Sequence, residues 1–203
     1  MASAIDDILE FWFETPPTNE AGLSRQMQRW FRSDPEIDAA IASRFETHMR
    51  AAAQDALGDW AATSRGRLAL IILLDQFPRS IYRGTPVAFA QDSRALSLTL
   101  TGIAGGLDRE LPSLQRVFFH MPMQHAESLS TQQQSVERFD ELAKNAEAPY
   151  LRKALAATAE YARLHRDIIS QFGRFPHRNA ILGRDSTEQE QRYLEESGPR
   201  FGQ

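Results

Sequence analysis

The chain contains no cysteine. This excludes disulfides, thiolate nucleophiles, iron–sulfur clusters and cysteine-ligated zinc. Among its 23 basic side chains only Lys144 and Lys153 are lysine, and neither lies in an apolar stretch, which argues against Schiff-base chemistry. The longest apolar run, LALIILL at 68–74, is too short to span a bilayer, and the first residues carry aspartates instead of a basic leader. These features predict a cytoplasmic protein without a membrane partner.

Several motifs of common enzymes are also missing. The sequence has neither of the glycine-rich phosphate loops, G-x-x-x-x-G-K-[ST] or G-x-G-x-x-G. It also lacks the G-x-S-x-G nucleophile motif and the H-E-x-x-H metal motif. The net charge of −4 argues against general nucleic-acid binding, because phosphate backbones attract basic surfaces. Any function must therefore come from a less familiar arrangement of residues.

Apolar residues recur at helical spacing through nearly the whole chain, and no segment alternates at period two. The pattern predicts an all-α protein of about eight or nine helices, with residues 1–203 as one domain. Predicted N-terminal positions are Ser3, Asp34, Thr85, Ser128 and Pro149. One helix is predicted over 64–77, ending at a Phe-Pro turn, whereas 120–128 is predicted as a turn. The last helix is predicted to begin at Asp185 or Ser186 and to end at Gly198.

Two Phe-Pro segments, FPRSIYRG at 77–84 and GRFPHRNAILGR at 173–184, are rich in arginine and contain no acidic residue. Each precedes a predicted helix start, where free backbone N–H groups favour anions. We interpret them as parts of a pocket for a carboxylate or phosphate group, because the arginine fork suits both. The candidate ligand-binding residues are Asp75, Arg79, Arg83, His165, Arg174, Arg178 and Arg184. The alternative is that the arginines tie down helix ends, with Asp75 as a partner of Arg79 and Glu127 as a partner of any of them.

Four of the five histidines lie in or just before these turn segments and the 120–128 segment. A general acid–base role is predicted for His125 or His177, beside Glu127 or Asp75, with His165 nearby. His125 and Glu127 are two positions apart and would not face one ion from a regular helix, so no metal site is predicted. The structural alternative is that the histidines cap helices or form hydrogen bonds with the residues that the arginines link. The aromatic residues at 11–13 and 30–31 could line a ligand groove, but they are interpreted as core, where such residues are found more often.

Three blocks of the sequence carry a family resemblance: 66–96, 118–128 and 165–194. They resemble the bacterial family called domain of unknown function 924, as do ILEFWF at 8–13 and RWF at 29–31. The resemblance covers nearly the whole chain and implies a tetratricopeptide-like antiparallel helical array, without an established activity. The family positions matched in this sequence are Asp75, Gln76, Phe77, Pro78, Arg79, Arg83, Asp92, His125, Glu127, His165, Arg174, Pro176, His177, Arg178, Asn179 and Arg184.

The middle block departs from the family pattern. The family is expected to read Y-x-P-F-E-H-S-E, whereas this chain reads H-M-P-M-Q-H-A-E. Met123, Gln124 and Ala126 therefore replace a phenylalanine, a glutamate and a serine, while His125 and Glu127 are kept. A role for an acid at 124 or a hydroxyl at 126 is not expected in this protein.

Two functions follow from the sequence. The first is a binding or catalytic site for a small anionic molecule where the turn segments meet, and Asn179 joins its ligand residues through the resemblance. The second is a helical interaction scaffold, in which the arginines clamp an acidic peptide or staple the fold. The sequence identifies no cofactor, and it is compatible with a homo-oligomer.

Overall fold

The structure, a computed structural model, describes residues 3–196, and these residues are helical without any strand. The first half contains α1 (Ala4–Phe13), α2 (Glu20–Phe31), α3 (Pro35–Ala53), α4 (Ser64–Ile71), a π-helical turn (Ile72–Gln76) and α5 (Phe77–Ile81). The second half contains α6 (Asp92–Ala104), α7 (Ser113–Gln124), α8 (Leu129–Lys144), α9 (Pro149–Phe172) and α10 (Glu188–Glu195). Short 3₁₀ helices lie at Gly58–Ala62, Pro86–Phe89, Leu107–Glu110 and Pro176–Arg178. Counting the continuous stretch 64–81 as one helix, the described residues form nine helices, so the all-α prediction is confirmed.

Local capping chemistry explains most helix starts. Ser3 accepts a hydrogen bond from the Asp6 N–H while Asp6 bonds back to Ser3, which is a capping box. Asp34 caps α3 ahead of Pro35, and Ser128 caps α8. Helix α9 begins at Pro149 as predicted. The predicted helix starts at these positions are confirmed.

The core joins side chains from α1 to α9 in one cluster. Residues 68–74 are almost completely buried, as expected of a helix that is apolar on all sides. Trp12 makes edge-to-face contacts with Phe77 and Phe118, with ring centroids 5.6 and 5.5 Å apart. The core interpretation is confirmed for Trp12 and its neighbours Phe13 and Trp30, whereas Phe31 is half exposed.

The prediction that the 64–77 helix ends at a Phe-Pro turn is wrong. The helix continues to Ile81 with Pro78 inside it. Proline has no N–H to complete an α-helical bond to the carbonyl four residues earlier. The π turn accommodates the proline, because the Phe77 N–H reaches the carbonyl of Ile72. The second Phe-Pro segment does follow a helix end, since α9 stops at Phe172 and Gly173 adopts a φ of 70°.

Three further predicted boundaries are wrong. Segment 120–128 is not a turn throughout, because α7 runs through Pro122 to Gln124, held by burial of its last turns. Thr85 precedes a 3₁₀ helix, and the α-helix there begins only at Asp92. The cap of α10 is Thr187, which forms a capping box with Glu190. The predicted end at Gly198 lies outside the described residues.

The predicted tetratricopeptide-like array specifies how the helices are arranged, and not only that the chain is helical. Helix α8 packs against both α7 and α9, and short loops connect the three helices. Short loops favour antiparallel neighbours, which such an array requires. The array itself stays a prediction. None of the helices within residues 3–196 is long and apolar enough to cross a membrane.

Candidate functional site

A cleft of about 630 Å³ opens between α2, α5, the end of α7 and α9. Its volume is in the range of small-molecule sites. Four predicted site residues contribute to its walls: Arg79, Arg83, His125 and His165. They come from three separate segments of the chain, so the fold brings them together.

His125, which lines the cleft, pairs with the buried carboxylate of Asp75, which does not line it. Asp75 is completely buried in the π turn, and its Oδ1 lies 2.7 Å from Nδ1 of His125 at the end of α7. The neighbouring Gln76 amide donates to Oδ2 of the same carboxylate and lies 3.2 Å from the sulfur of Met121. A π turn changes the direction of the side chains that follow it, and such turns are frequent at functional sites. Here the turn places Asp75 and Gln76 side by side under His125.

Arg79 is held by two carboxylates. Its guanidinium donates to the backbone carbonyl of Asp75 at 2.6 Å and lies 3.2 Å from that residue's Oδ1. Its Nη2 atom also donates to both carboxylate oxygens of Asp92, at 2.8 and 2.9 Å. Arg178 reaches the same Asp92 at 3.2 Å. Asp92 at the start of α6 thus joins the two predicted arginine segments.

Arg178 lies between two aromatic rings. Its guanidinium carbon is 4.5 Å from the ring centroid of Phe175 and 4.7 Å from that of Phe89. Burial and the charge of Arg79 lower the pKa of Arg178 to about 10, so it stays protonated at neutral pH. Such cation–π contacts strengthen when water is excluded. Arg178 therefore has the environment of a buried structural residue, and it does not line the cleft.

The charge state of the Asp75–His125 pair follows from its surroundings. Burial would raise the pKa of Asp75, but the charge of Arg79 and the hydrogen bonds from His125 and Gln76 outweigh it and hold the pKa below its usual range. Burial and the nearby Arg79 lower the pKa of His125 despite the carboxylate. At neutral pH the pair is therefore an ionised Asp75 and a neutral imidazole that donates from Nδ1. This tautomer leaves Nε2, on the opposite edge of the ring, as a proton acceptor.

His165 and His177 are also kept neutral. Burial lowers the pKa of His165 to about 3. The His165 Nδ1–H donates to the Tyr161 carbonyl, and the nitrogen lies 2.7 Å from the carbonyl oxygen. The His165 ring lies 6.4 Å from the ring of His125. Burial and the adjacent Arg178 lower the pKa of His177 to about 3. His165 lines the cleft, whereas His177 packs against Phe175 behind it.

The remaining predicted residues form a separate network on the 173–190 segment. Glu127 accepts the Phe175 N–H at 2.8 Å and a bidentate pair from Arg184 at 2.7 and 3.0 Å. Arg174 makes a bidentate pair with the buried Glu190. The amide of Asn179 donates to the Ser186 hydroxyl at 3.1 Å. None of Glu127, Arg174, His177, Arg178, Asn179 or Arg184 is among the described residues that line the cleft.

The cleft also contains residues that the sequence analysis did not select. Arg29, Trp30, Phe31 and Arg32 at the end of α2 form one wall, and Asp38 of α3 lies near Arg83. The Arg83 guanidinium is 3.8 Å from the Asp38 carboxylate. The aromatic residues Trp30 and Phe31 were considered for a ligand groove and interpreted as core, because the local pattern does not indicate which distant residues α2 contacts. Both line the cleft, whereas Arg29 and Arg32 were not selected from the sequence.

Besides His177, two further histidines lie outside the cleft and have structural environments. His120 is completely buried, and its Nε2 lies 3.0 Å from Asp108. His48, on α3, lies near the ring of Trp60. Within residues 3–196, no three His, Asp or Glu side chains form a group that could hold a metal ion.

Comparison with known proteins agrees with this architecture. Residues 8–198 match the family model described as bacterial protein of unknown function (DUF924). The solved structure of the protein of unknown function ATU0120 from Agrobacterium tumefaciens is 36% identical, with a TM-score of 0.79, over 95% of this chain and 97% of that chain. A comparison with curated proteins gives no match. The chain therefore belongs to the bacterial DUF924 family, whose function is not established.

Proposed function

We propose that the cleft binds a small organic anion and that His125 accepts a proton from it or from a water molecule beside it. The observation that carries this proposal is the convergence of Arg83, His125 and His165 on one cleft from three distant segments. Four arginines line the cleft, against Asp38 as the acid among the described lining residues. A concave site of one dominant charge attracts ligands of the opposite charge.

The arginines of the cleft have different roles in this proposal. Arg79 has its charge matched by Asp75 and Asp92, so it positions the Asp75 carboxylate under His125. The Arg83 side chain is one-third exposed and lines the cleft, so a ligand carboxylate or phosphate can reach its guanidinium. Arg32 is exposed at the cleft mouth and adds a second cation.

The Asp75–His125 pair has the arrangement needed for general base chemistry. A buried carboxylate that accepts the Nδ1–H fixes the tautomer and stabilises the imidazolium that forms when Nε2 takes a proton. The His125 side chain is 14% exposed, so its outer edge is accessible from the cleft. The lowered pKa of His125 keeps Nε2 unprotonated and ready to accept at neutral pH.

In the alternative, a helical scaffold, the arginines of both segments either clamp an acidic peptide or staple the fold. Arg174, Arg178 and Arg184 each contact a carboxylate of their own chain, namely Glu190, Asp92 and Glu127. A peptide would have to displace these partners, and two of the three pairs are bidentate. This geometry favours the structural part of the alternative, in which these arginines staple the 173–190 segment.

The proposal is tested by ¹⁹F NMR of protein labelled with 5-fluorotryptophan. Trp12 and Trp30 line the cleft, whereas Trp60, the third tryptophan, does not. Titration with inorganic phosphate and with acetate at low ionic strength should shift two of three resonances saturably. Arg83→Gln should abolish the shifts, and Arg192→Gln, which changes an exposed arginine on α10, should leave them unchanged. Shifts that are absent in the wild type, or equal in both variants, would overturn the proposal.

A further inference from the structure

The two most exposed large hydrophobic side chains within residues 3–196 both lie at the cleft. Tyr161 is 58% exposed and Phe31 is 52% exposed, and both belong to its lining. Exposed apolar residues scattered singly need no explanation, but two aromatic rings at one concave, charged site do.

The position of Phe31 is set by neighbouring rings. Its ring is nearly parallel to that of Phe118, at an interplanar angle of 10° and a centroid distance of 6.2 Å. It also makes an edge contact with Trp30 at 6.4 Å. Phe31 is the last residue of α2 and is followed directly by the exposed Arg32. The Phe31 ring thus packs against Phe118 and Trp30, while about half of the side chain remains exposed to solvent.

Tyr161 occupies the opposite wall on α9. It precedes His165 by one helical turn, and the carbonyl of Tyr161 accepts the hydrogen bond from His165. The two side chains therefore share a face of α9, with the aromatic ring nearer the mouth and the imidazole nearer Asp75 and His125. Aromatic surface at the mouth and cationic groups beside it form a two-part site.

We infer that the ligand is a small aromatic anion, with its planar ring against Phe31 and Tyr161 and its anionic group near Arg83 and Arg32. This inference rests on the proposed anion site and adds the ligand class to it. Ring–ring contacts and burial of a planar apolar surface together increase affinity by about tenfold or more over the anionic group alone. The cleft volume of about 630 Å³ accommodates a ligand with a ring system and a carboxylate.

The test compares three probes that separate ring from charge. Benzoate contains both, acetate contains the charge without the ring, and benzamide contains the ring without the charge. Dissociation constants measured by the same fluorotryptophan NMR titration should be about tenfold or more lower for benzoate than for acetate or benzamide.

Variants of Phe31 and Tyr161 then test whether these two residues contact the aromatic ring of the bound probe. Phe31→Leu keeps apolar bulk against Phe118 but removes the aromatic face, and Tyr161→Ala removes an exposed ring from α9. Each should weaken benzoate binding by about threefold to tenfold and leave acetate binding unchanged. Leu129→Ala, at an exposed apolar residue on α8 outside the cleft, is the matched control and should change neither. Thermal melts of all three variants verify folding.

The outcomes separate this inference from the proposed function. Equal affinity for benzoate and acetate, both lost in Arg83→Gln, would overturn the aromatic ligand class and leave the anion site in place. Benzoate affinity that is insensitive to both mouth variants would also overturn it. If the wild-type protein binds no anion, the inference and the proposed function both fail.

Discussion

The Nδ1 atom of His125 lies 2.7 Å from the carboxylate of Asp75, although the two residues are 50 positions apart. Asp75 is completely buried, and Arg79 lies 3.2 Å from the same carboxylate oxygen. The three side chains form a unit whose charges are balanced inside the protein. Such a unit is costly to disturb, because removing Arg79 would leave the buried Asp75 carboxylate without an opposite charge, and removing Asp75 would take away one of the two carboxylates that balance Arg79.

Asp75→Asn should therefore destabilise the fold. The substitution removes one of the two carboxylates that balance Arg79 and leaves only a neutral acceptor for the His125 Nδ1–H, so the free energy of unfolding should fall by about 2 kcal/mol. Urea denaturation at pH 7 measures this loss. Asp167→Asn on the exposed face of α9 is the control and should change stability by less than about 0.5 kcal/mol. A loss at Asp75 no larger than that of the control would contradict the structural role of the carboxylate.

Arg178→Ala should cost about 3 kcal/mol of unfolding free energy, because Arg178 is buried between Phe89 and Phe175 and pairs with Asp92. The sequence alone left its role open between a ligand residue and a staple. Arg192→Ala is the matched control, since Arg192 is exposed and pairs with Glu188 in the next helical turn. A variant at 178 that is as stable as the wild type would show that this arginine does not stabilise the fold.

His165 should make the protein less stable in mild acid. Its pKa is about 3 in the folded protein, because burial disfavours the charged ring, against about 6.5 when unfolded. The unfolded chain therefore binds a proton more readily between these values, and stability falls as pH decreases from 6.5 toward 3. Each such histidine contributes a slope of about 1.4 kcal/mol per pH unit within that window.

His165→Asn tests this slope, because the asparagine amide can still donate to the Tyr161 carbonyl but does not titrate. Urea midpoints between pH 7 and pH 4.5 should depend less steeply on pH in the variant than in the wild type. Parallel pH profiles for the two proteins would refute the assignment.

Gly102→Ala should destabilise, although alanine favours helices. A Cβ atom at this position of α6 would lie 2.5 Å from Cζ of Phe119 and 2.6 Å from Cδ of Arg67. Relieving such contacts in a packed interior costs about 1–3 kcal/mol. Gly105→Ala is the control, since its nearest neighbour would be 3.5 Å away. Thermal melts should show a clear decrease for Gly102→Ala and little change for Gly105→Ala, and the reverse order would contradict this packing.

Much of the fold was predictable because it depends on local chemistry. Helical spacing of apolar residues identified the class, and Ser3, Asp34 and Ser128 cap helices through bonds to residues two or three positions away. Prolines were less informative. Pro149 opens a helix as predicted, but Pro78 and Pro122 lie inside helices, where burial of the surrounding side chains compensates for the lost hydrogen bonds.

The site was only partly predictable. Composition and turn chemistry selected Arg79, Arg83, His125 and His165, which the fold brings to one cleft. The same signals selected Arg174, Arg178 and Arg184, which pair with carboxylates from 16, 86 and 57 positions away. Whether an arginine is paired or faces a cleft depends on which distant acid lies beside it, and helical periodicity carries no information on that.

The helical class, several helix starts and the set of chemically capable side chains can thus be derived from local sequence, since they depend on residues within a few positions of one another. The fold, in contrast, places Asp75 beside His125, links Arg79 to Arg178 through Asp92, and brings Phe31 and Tyr161 to one cleft. Those relationships arise from packing between helices far apart in the chain. Burial and long-range charge pairing then determine which side chains hold the fold together and which line the cleft.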